Sequence, residues 1–231
     1  MATEEQRARC LVATCRFADA ESALQGLGDD VNTDEFIAAK AALGGRKQEY
    51  VIAVEELTKS TNKVAKFFAD AQTVDSLRDS NSLNMVGLSQ YNIMQEDIDA
   101  YAALAKLYYE AGDYHRAEHM LMECTSVGPT SPEGGPALGM LWGRLACRIM
   151  LERWTESVTD VMILKQAIEH KSVPPVEQLQ QRSWLIHWAL FVQFIGGAKS
   201  GATQATDPLE NFLGDRYSLQ AMENMCPWML R

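Results

Sequence analysis

Between Ile98 and Ser131, large and small side chains fall at intervals that suit two helices pressed together around a tight turn. Tyr101, Leu104 and Tyr108 are the large residues of a first helix, with the small Ala105 beside Leu104. Gly112-Asp113-Tyr114 is the turn, and glycine supplies the backbone freedom that a helix stop needs. Ala117 is the small residue where the second helix meets the first. Leu121 fills its next turn, Cys124 takes a small position and Pro129 closes the unit. Size and turn chemistry agree at nine spaced positions, which commits this stretch to a helical hairpin. A lone hairpin cannot bury its apolar face, so such units stack on neighbours.

The spacing follows the ~34-residue tetratricopeptide pattern. A degenerate echo comes about 40 residues on. Trp142 and Ala146 sit on its first helix, Glu152-Arg153-Trp154 at the turn, and Ser157, Val158, Val161 and Leu164 on its second. Helical patterns run over 4–25, 95–111, 114–126, 138–151, 154–171, 176–195 and 216–231. The clearest amphipathic helix spans Lys47 to Ala69, where Tyr50, Val54, Leu57, Thr61, Val64 and Phe68 make one apolar stripe. Asn32 and Glu35 have capping-box spacing. Breaks are expected at Gly44-Gly45, 128–136, 173–175 and 196–208. From Trp184 onward the 176–195 helix is apolar nearly all round, the pattern of a central buried helix. Sustained period-2 alternation is missing. The expected fold is all-α: a right-handed array of stacked hairpins, with 1–43 as an N-terminal helical segment and 44–231 as the repeat region.

Charge narrows the function. The 231 residues carry 21 Lys and Arg against 31 Asp and Glu, a net charge of −10. Segment 73–137 alone holds 10 acids and 3 bases, net −7. That argues against phosphate neutralisation and against a polybasic membrane binder. The most apolar run, Trp184 to Ile195, is interrupted by His187 and Gln193 and is too short to span a bilayer. Five scattered cysteines without a C-x-x-C fit a reduced compartment, so cytoplasmic localisation is expected. Five Trp and eleven Met are more apolar material than a thin array easily covers, so some of that surface is expected to meet partners.

Candidate chemistry is sparse. His115-Arg-Ala-Glu-His119 matches the H-x-x-E-H spacing of inverted zinc peptidases. In the hairpin register, however, His115, Glu118 and His119 fall opposite Ala117 and Leu121, on the solvent side, and no third ligand suggests itself. No metal or other cofactor is expected. His187 reads as a hydrogen-bonded core histidine, and no nucleophile motif or Gly-rich phosphate loop is present. The chain is therefore not expected to be an enzyme. Two surfaces remain as partner sites. Asp99, Lys106, Tyr109 and Glu110 occupy the positions that face the concave groove of a tetratricopeptide repeat. Lys59, Lys63 and Lys66 cluster on one helix face and are a possible RNA or partner face, although a solvated lysine face is the commoner outcome.

Residues 178–195, Gln-Leu-Gln-Gln-Arg-Ser-Trp-Leu-Ile-His-Trp-Ala-Leu-Phe-Val-Gln-Phe-Ile, closely resemble a stretch of the e-subunit family of eukaryotic translation initiation factor three. The resemblance extends to Leu141-Trp-Gly-Arg-Leu-Ala146, Tyr108-Tyr-Glu-Ala-Gly-Asp-Tyr114 and Ala221-Met-Glu-Asn-Met-Cys-Pro-Trp-Met-Leu-Arg231, and more loosely to Val64-Ala-Lys-Phe-Phe-Ala-Asp70. It implies helical repeats of the PCI-domain kind. In the family these lead into a winged helix, which is expected to be absent from this chain, since the sequence ends at Arg231. It also implies a non-enzymatic scaffold that assembles with sister subunits on the small ribosomal subunit to promote translation initiation. Neither a small-molecule substrate nor a membrane is implied. A PCI-type component of the proteasome lid or the COP9 signalosome is the alternative, and the 178–195 run favours the initiation factor.

Overall fold

The 36-residue helix α1, Asp34–Ala69, is the longest of the described helices. The computed structural model describes residues 34–127, 138–170, 174–200 and 214–226, together with Ala20 and Ser22, both helical. Among these residues α1 is followed by α2 (Ala71–Asp79), α3 (Met85–Ser89), α4 (Gln95–Glu110), α5 (Tyr114–Ser126), α6 (Leu138–Met150), α7 (Trp154–His170), α8 (Pro175–Ser200) and α9 (Arg216–Met225). The described residues form no strand. The predicted 95–111, 114–126, 138–151 and 154–171 agree with α4 to α7 within a residue. Most of the predicted 4–25, and the ends at 128–136 and 227–231, lie outside the described residues.

Side-chain caps fix several starts. Asp113 accepts from the Arg116 amide (3.2 Å), Asn84 from that of Gly87 (3.0 Å) and Asp215 from that of Ser218 (3.0 Å). Each satisfies an amide that the first helical turn leaves without an intrahelical acceptor. The stops show the repeat. At the first turn, Gly112 donates to the Tyr109 carbonyl and Asp113 to that of Tyr108. Forty residues on, Glu152 donates to Ile149 and Arg153 to Arg148 in the same pattern. Both central residues are left-handed, Gly112 at φ 89° and Glu152 at φ 57°. The echo lacks the glycine but keeps the turn. Because a Cβ at Gly112 would meet no neighbour within 4 Å, Gly112→Val tests backbone strain alone. A loss of about 1 kcal/mol or more is expected in urea unfolding, and an unchanged midpoint would contradict the turn geometry.

Each helix packs on the next: α4 on α5, α5 on α6, α6 on α7, α7 on α8, and α8 on α9, with α1 laid along α4. This is the sequential packing of a helical-repeat array. Val64, Leu88, Ile98, Ala105 and Ala117 centre the core of the first half. Leu145, Leu164, Ile168 and Leu185 centre that of the second. The stripe predicted on α1 is the face that packs, with Thr61 and Val64 fully buried and Tyr50, Val54, Leu57 and Phe68 half-buried.

Three expectations are corrected. Helix α1 runs straight through Gly44 and Gly45. A Cβ at either would touch nothing within 4 Å, so the cost is only propensity, about 1 kcal/mol each, which the 36-residue helix absorbs. Helix α8 likewise continues past Gly196 to Ser200. Gly196 is buried, and a Cβ there would lie 2.9 Å from Trp154 Cβ. The glycine serves close helix packing and not a break. Gly196→Ala is therefore expected to destabilise by about 1–3 kcal/mol. Gly143→Ala, whose new methyl would meet only the movable Leu121 Cδ1 at 3.1 Å, should cost less. Equal effects in urea unfolding would contradict this packing. Lastly, α8 is not buried all round. It packs on α7 and α9 through Leu185, Ile186, Ala189 and Val192 and leaves its opposite face open.

Candidate functional site

The concave-face residues named from the sequence largely meet in one place. Asp99, Lys106 and Tyr109 line a groove of about 500 Å³ between α4 and α6, floored by Ala102, Ala103, Leu121 and Met140 and edged by Gly139 and Gly143. Glu110 is not in its lining. It faces Lys106 one turn away at 3.9 Å. Small residues on both helices keep the groove open, and its polar groups sit at the α4 rim.

The lysines separate. Lys59 and Lys66 are exposed. Lys63 forms an ion pair with Asp97 at 2.6 Å and donates to the Asn92 carbonyl at 3.2 Å. Burial acts to raise the Asp97 carboxyl, but the Lys63 ammonium and the Met94 amide outweigh it and hold it below its ordinary value. Lys63 thus ties α1 to the start of α4. Of the predicted face, Lys66 and Lys63 border a smaller groove of about 240 Å³ with Asp70 and Tyr91.

The H-x-x-E-H residues do not converge. His115 and His119 face solvent as expected, and His119 Nδ1 lies 3.5 Å from a Glu123 carboxylate. Glu118 is the correction: it is 4% exposed and points inward. Helix α5 packs on both α4 and α6, so it buries two stripes and not one. Glu118 accepts from Arg148 Nε at 3.0 Å and pairs with Arg153 at 2.8 Å. Arg148 also reaches Asp160 at 2.9 Å, and Arg144 bonds Asp160 at 2.6 Å and Thr125 at 2.5 Å. This buried network pins α5, α6 and α7 together. Sequence reasoning missed it. The carboxylate that a zinc peptidase would need is committed to structure. Among the described residues, no three His, Cys, Asp or Glu side chains gather to hold a metal.

Nor do Cys124 and Cys147 suggest a nucleophile. Burial pushes both Cys124 and Cys147 up to about 12, with Glu123 and Glu118 respectively adding to it. A thiol held that high is almost wholly protonated near neutrality. Cys10 and Cys15 lie outside the described residues.

The 178–195 run owes its composition to contacts between helices. Gln178 Nε2 donates to the Ile168 carbonyl (2.8 Å), and Gln181 accepts from Trp142 Nε1 (2.9 Å). Arg182 stacks over the Tyr217 ring (4.8 Å), and Ser183 Oγ meets Cys226 Sγ (2.9 Å). His187 is hydrogen-bonded as expected, to the Ser183 carbonyl at 2.7 Å, but it sits on the open face of α8 and not in the core. That face also carries Trp184, Trp188, Phe191, Phe194 and Ile195, each at least 40% exposed. Trp188 and Phe191 meet edge to face at 5.9 Å, and Phe191 leans on Trp154 at 6.3 Å.

Among the described residues, this helical-repeat array leaves open a groove on α4 and α6, a smaller groove edged by Lys63 and Lys66, and an aromatic face on α8. The chain is similar to the E subunit of eukaryotic translation initiation factor 3 from Aedes aegypti, 31% identical over 189 residues, 82% of this chain and 42% of that protein. It is 29% identical over 187 residues to the Drosophila melanogaster E subunit (80% and 41%) and 28% over 192 to that of Yarrowia lipolytica (83% and 44%). The chain is thus a relative of the E subunits of initiation factor 3, and it spans about two fifths of the length of the curated relatives it matches. No protein-family model matches it. Among the described residues, no helix is long and apolar enough to cross a membrane.

Proposed function

We propose that the chain is a non-enzymatic scaffold component of the initiation factor 3 complex, working in the cytoplasm and assembling with sister subunits on the small ribosomal subunit to promote translation initiation. The observation that carries this reading is the similarity to the E subunits over four fifths of the chain. The particular residues of the resembling 178–195 run support it through their contacts: Gln178 binds α7, Gln181 binds α6, and Arg182 and Ser183 both bind α9 and its C-cap. The PCI character of the repeats follows from the same reading. Within it, the Asp99–Lys106–Tyr109 groove takes a partner segment, with Glu110 outside its lining but paired with Lys106. Lys59, Lys63 and Lys66 form the RNA or partner face in this reading, with Lys63 partly engaged by Asp97. The acidic block over 73–137 keeps phosphates away and favours docking to basic neighbours.

Affinity purification of the native protein in moderate salt tests this reading. Recovery of the other initiation factor subunits with small-subunit proteins is expected. Recovery of proteasome-lid or signalosome subunits would move the chain to those assemblies, and recovery of the chain alone would refute a scaffold role.

A further inference from the structure

The groove between α4 and α6 constrains its occupant by size and by charge. An apolar cavity of ~150 Å³ holds one benzene ring, so the groove's volume of about 500 Å³ takes roughly two or three side chains the size of Leu or Phe. The side chains of its floor, Ala102, Ala103, Leu121 and Met140, are apolar. Charge enters only along α4. Asp99 lines the groove near the start of that helix, and Glu96 lies one turn before it, both exposed. Asp99 Oδ1 accepts from the neutral Gln95 amide at 2.9 Å, and neither carboxylate has an ion pair among the described residues. The Asp97 between them is met by Lys63 at 2.6 Å. Two turns on, about 10 Å along the helix, Lys106 faces Glu110 at 3.9 Å, so its charge is met within α4. On α6 the lining residues Gly139, Met140 and Gly143 carry no charge, and the adjacent Arg144 is turned to Asp160. The uncompensated charge at this groove is negative and sits at the Asp99 end.

Three occupants fit this pattern poorly. A nucleic acid would bring phosphates to the two carboxylates. Two copies meeting groove to groove would bring segment 73–137, net −7, against itself. Residues 128–137, which join α5 to α6, hold one Glu, no Lys or Arg, and no apolar side chain larger than that of proline. We infer that the groove receives a segment of another protein that combines two or three large apolar side chains with a Lys or Arg, the cation lying at the Asp99–Glu96 end. The apolar side chains fill the floor, and the cation completes the two carboxylates that α4 leaves without a partner. The inference rests on the reading of this groove as a partner site.

The test is photo-cross-linking in cells of the native protein carrying a benzophenone amino acid at Ala103, an exposed lining position. The same label at Thr159, exposed on α7, gives the background. Mass spectrometry of the joined peptides is the readout. The expected product links position 103 to a segment of another protein with at least two large apolar residues and a Lys or Arg within about two helical turns of them. Its yield is expected to fall at least about fivefold in a Glu96→Lys/Asp99→Lys chain of unchanged melting temperature, since two attractions become repulsions. Asp99→Lys alone, read the same way, guards against misfolding of the double variant. The inference is overturned by a product with RNA, with an acidic segment, with a second copy or with residues 128–137 of the same chain. A yield that the Lys variants leave unchanged, or no product above background, overturns it as well. None of these failures removes the other factor subunits from an affinity purification, so the scaffold reading is tested separately.

Discussion

Asp160→Ala is expected to destabilise the fold by about 3–5 kcal/mol, the cost of removing one partner of a buried ion pair. Asp160 is 1% exposed and receives both Arg144 (2.6 Å) and Arg148 (2.9 Å). Without it two guanidinium groups lose their shared carboxylate inside the array. Arg148 keeps Glu118, whereas Arg144 is left with the neutral hydroxyl of Thr125. Urea unfolding followed by helical circular dichroism measures the loss. A change below about 1 kcal/mol would show that both arginines find water in the variant, and would place the network at the surface.

Leu164→Ala is expected to cost about 2–5 kcal/mol, the range for emptying a leucine site in a close-packed core. Leu164 is fully buried among Leu145, Val161, Ile168 and Leu185, where α7 meets α6 and α8. Its neighbour Ile163 is 36% exposed, so Ile163→Ala should fall clearly short of it. The same unfolding measurement compares the two, and equal losses would mean that the face of α7 has been assigned to the wrong side.

The ends of α4 to α7 and the repeat register were legible in the sequence because they depend on local chemistry: Gly112 and Asp113 at one turn, and the large and small residues around them. What was not legible depends on how many neighbours a helix has. Glu118 looked like a solvent residue because one stripe was assigned to α5, whereas the helix buries two. Helix α8 looked central because it is apolar all round, yet only one side is covered. A signal for the charge network did exist. With the second unit laid on the first at a spacing of 40, Arg144 falls on Leu104 and Asp160 on Met120, both core positions. Two opposite charges at core positions in one unit point to a buried pair. Gly196 was misread for a related reason, since glycine signals a break or a close approach, and only the presence of Trp154 separates the two.

Of the surfaces singled out in the sequence, the groove residues Asp99, Lys106 and Tyr109 were found by position in the repeat, and they do line one cavity. The lysine cluster was less well read. Lys63 lies on the correct helix face, but Asp97 is 34 residues away, and a pairing at that distance leaves no local trace.

The proposed role, a held part of the translation initiation machinery, is tested by sedimentation of the tagged native protein from cross-linked cells through a sucrose gradient. The expected result is the protein in the small-ribosomal-subunit fractions together with the other factor subunits. Sedimentation with the proteasome, or at the top of the gradient as a free chain, would contradict it.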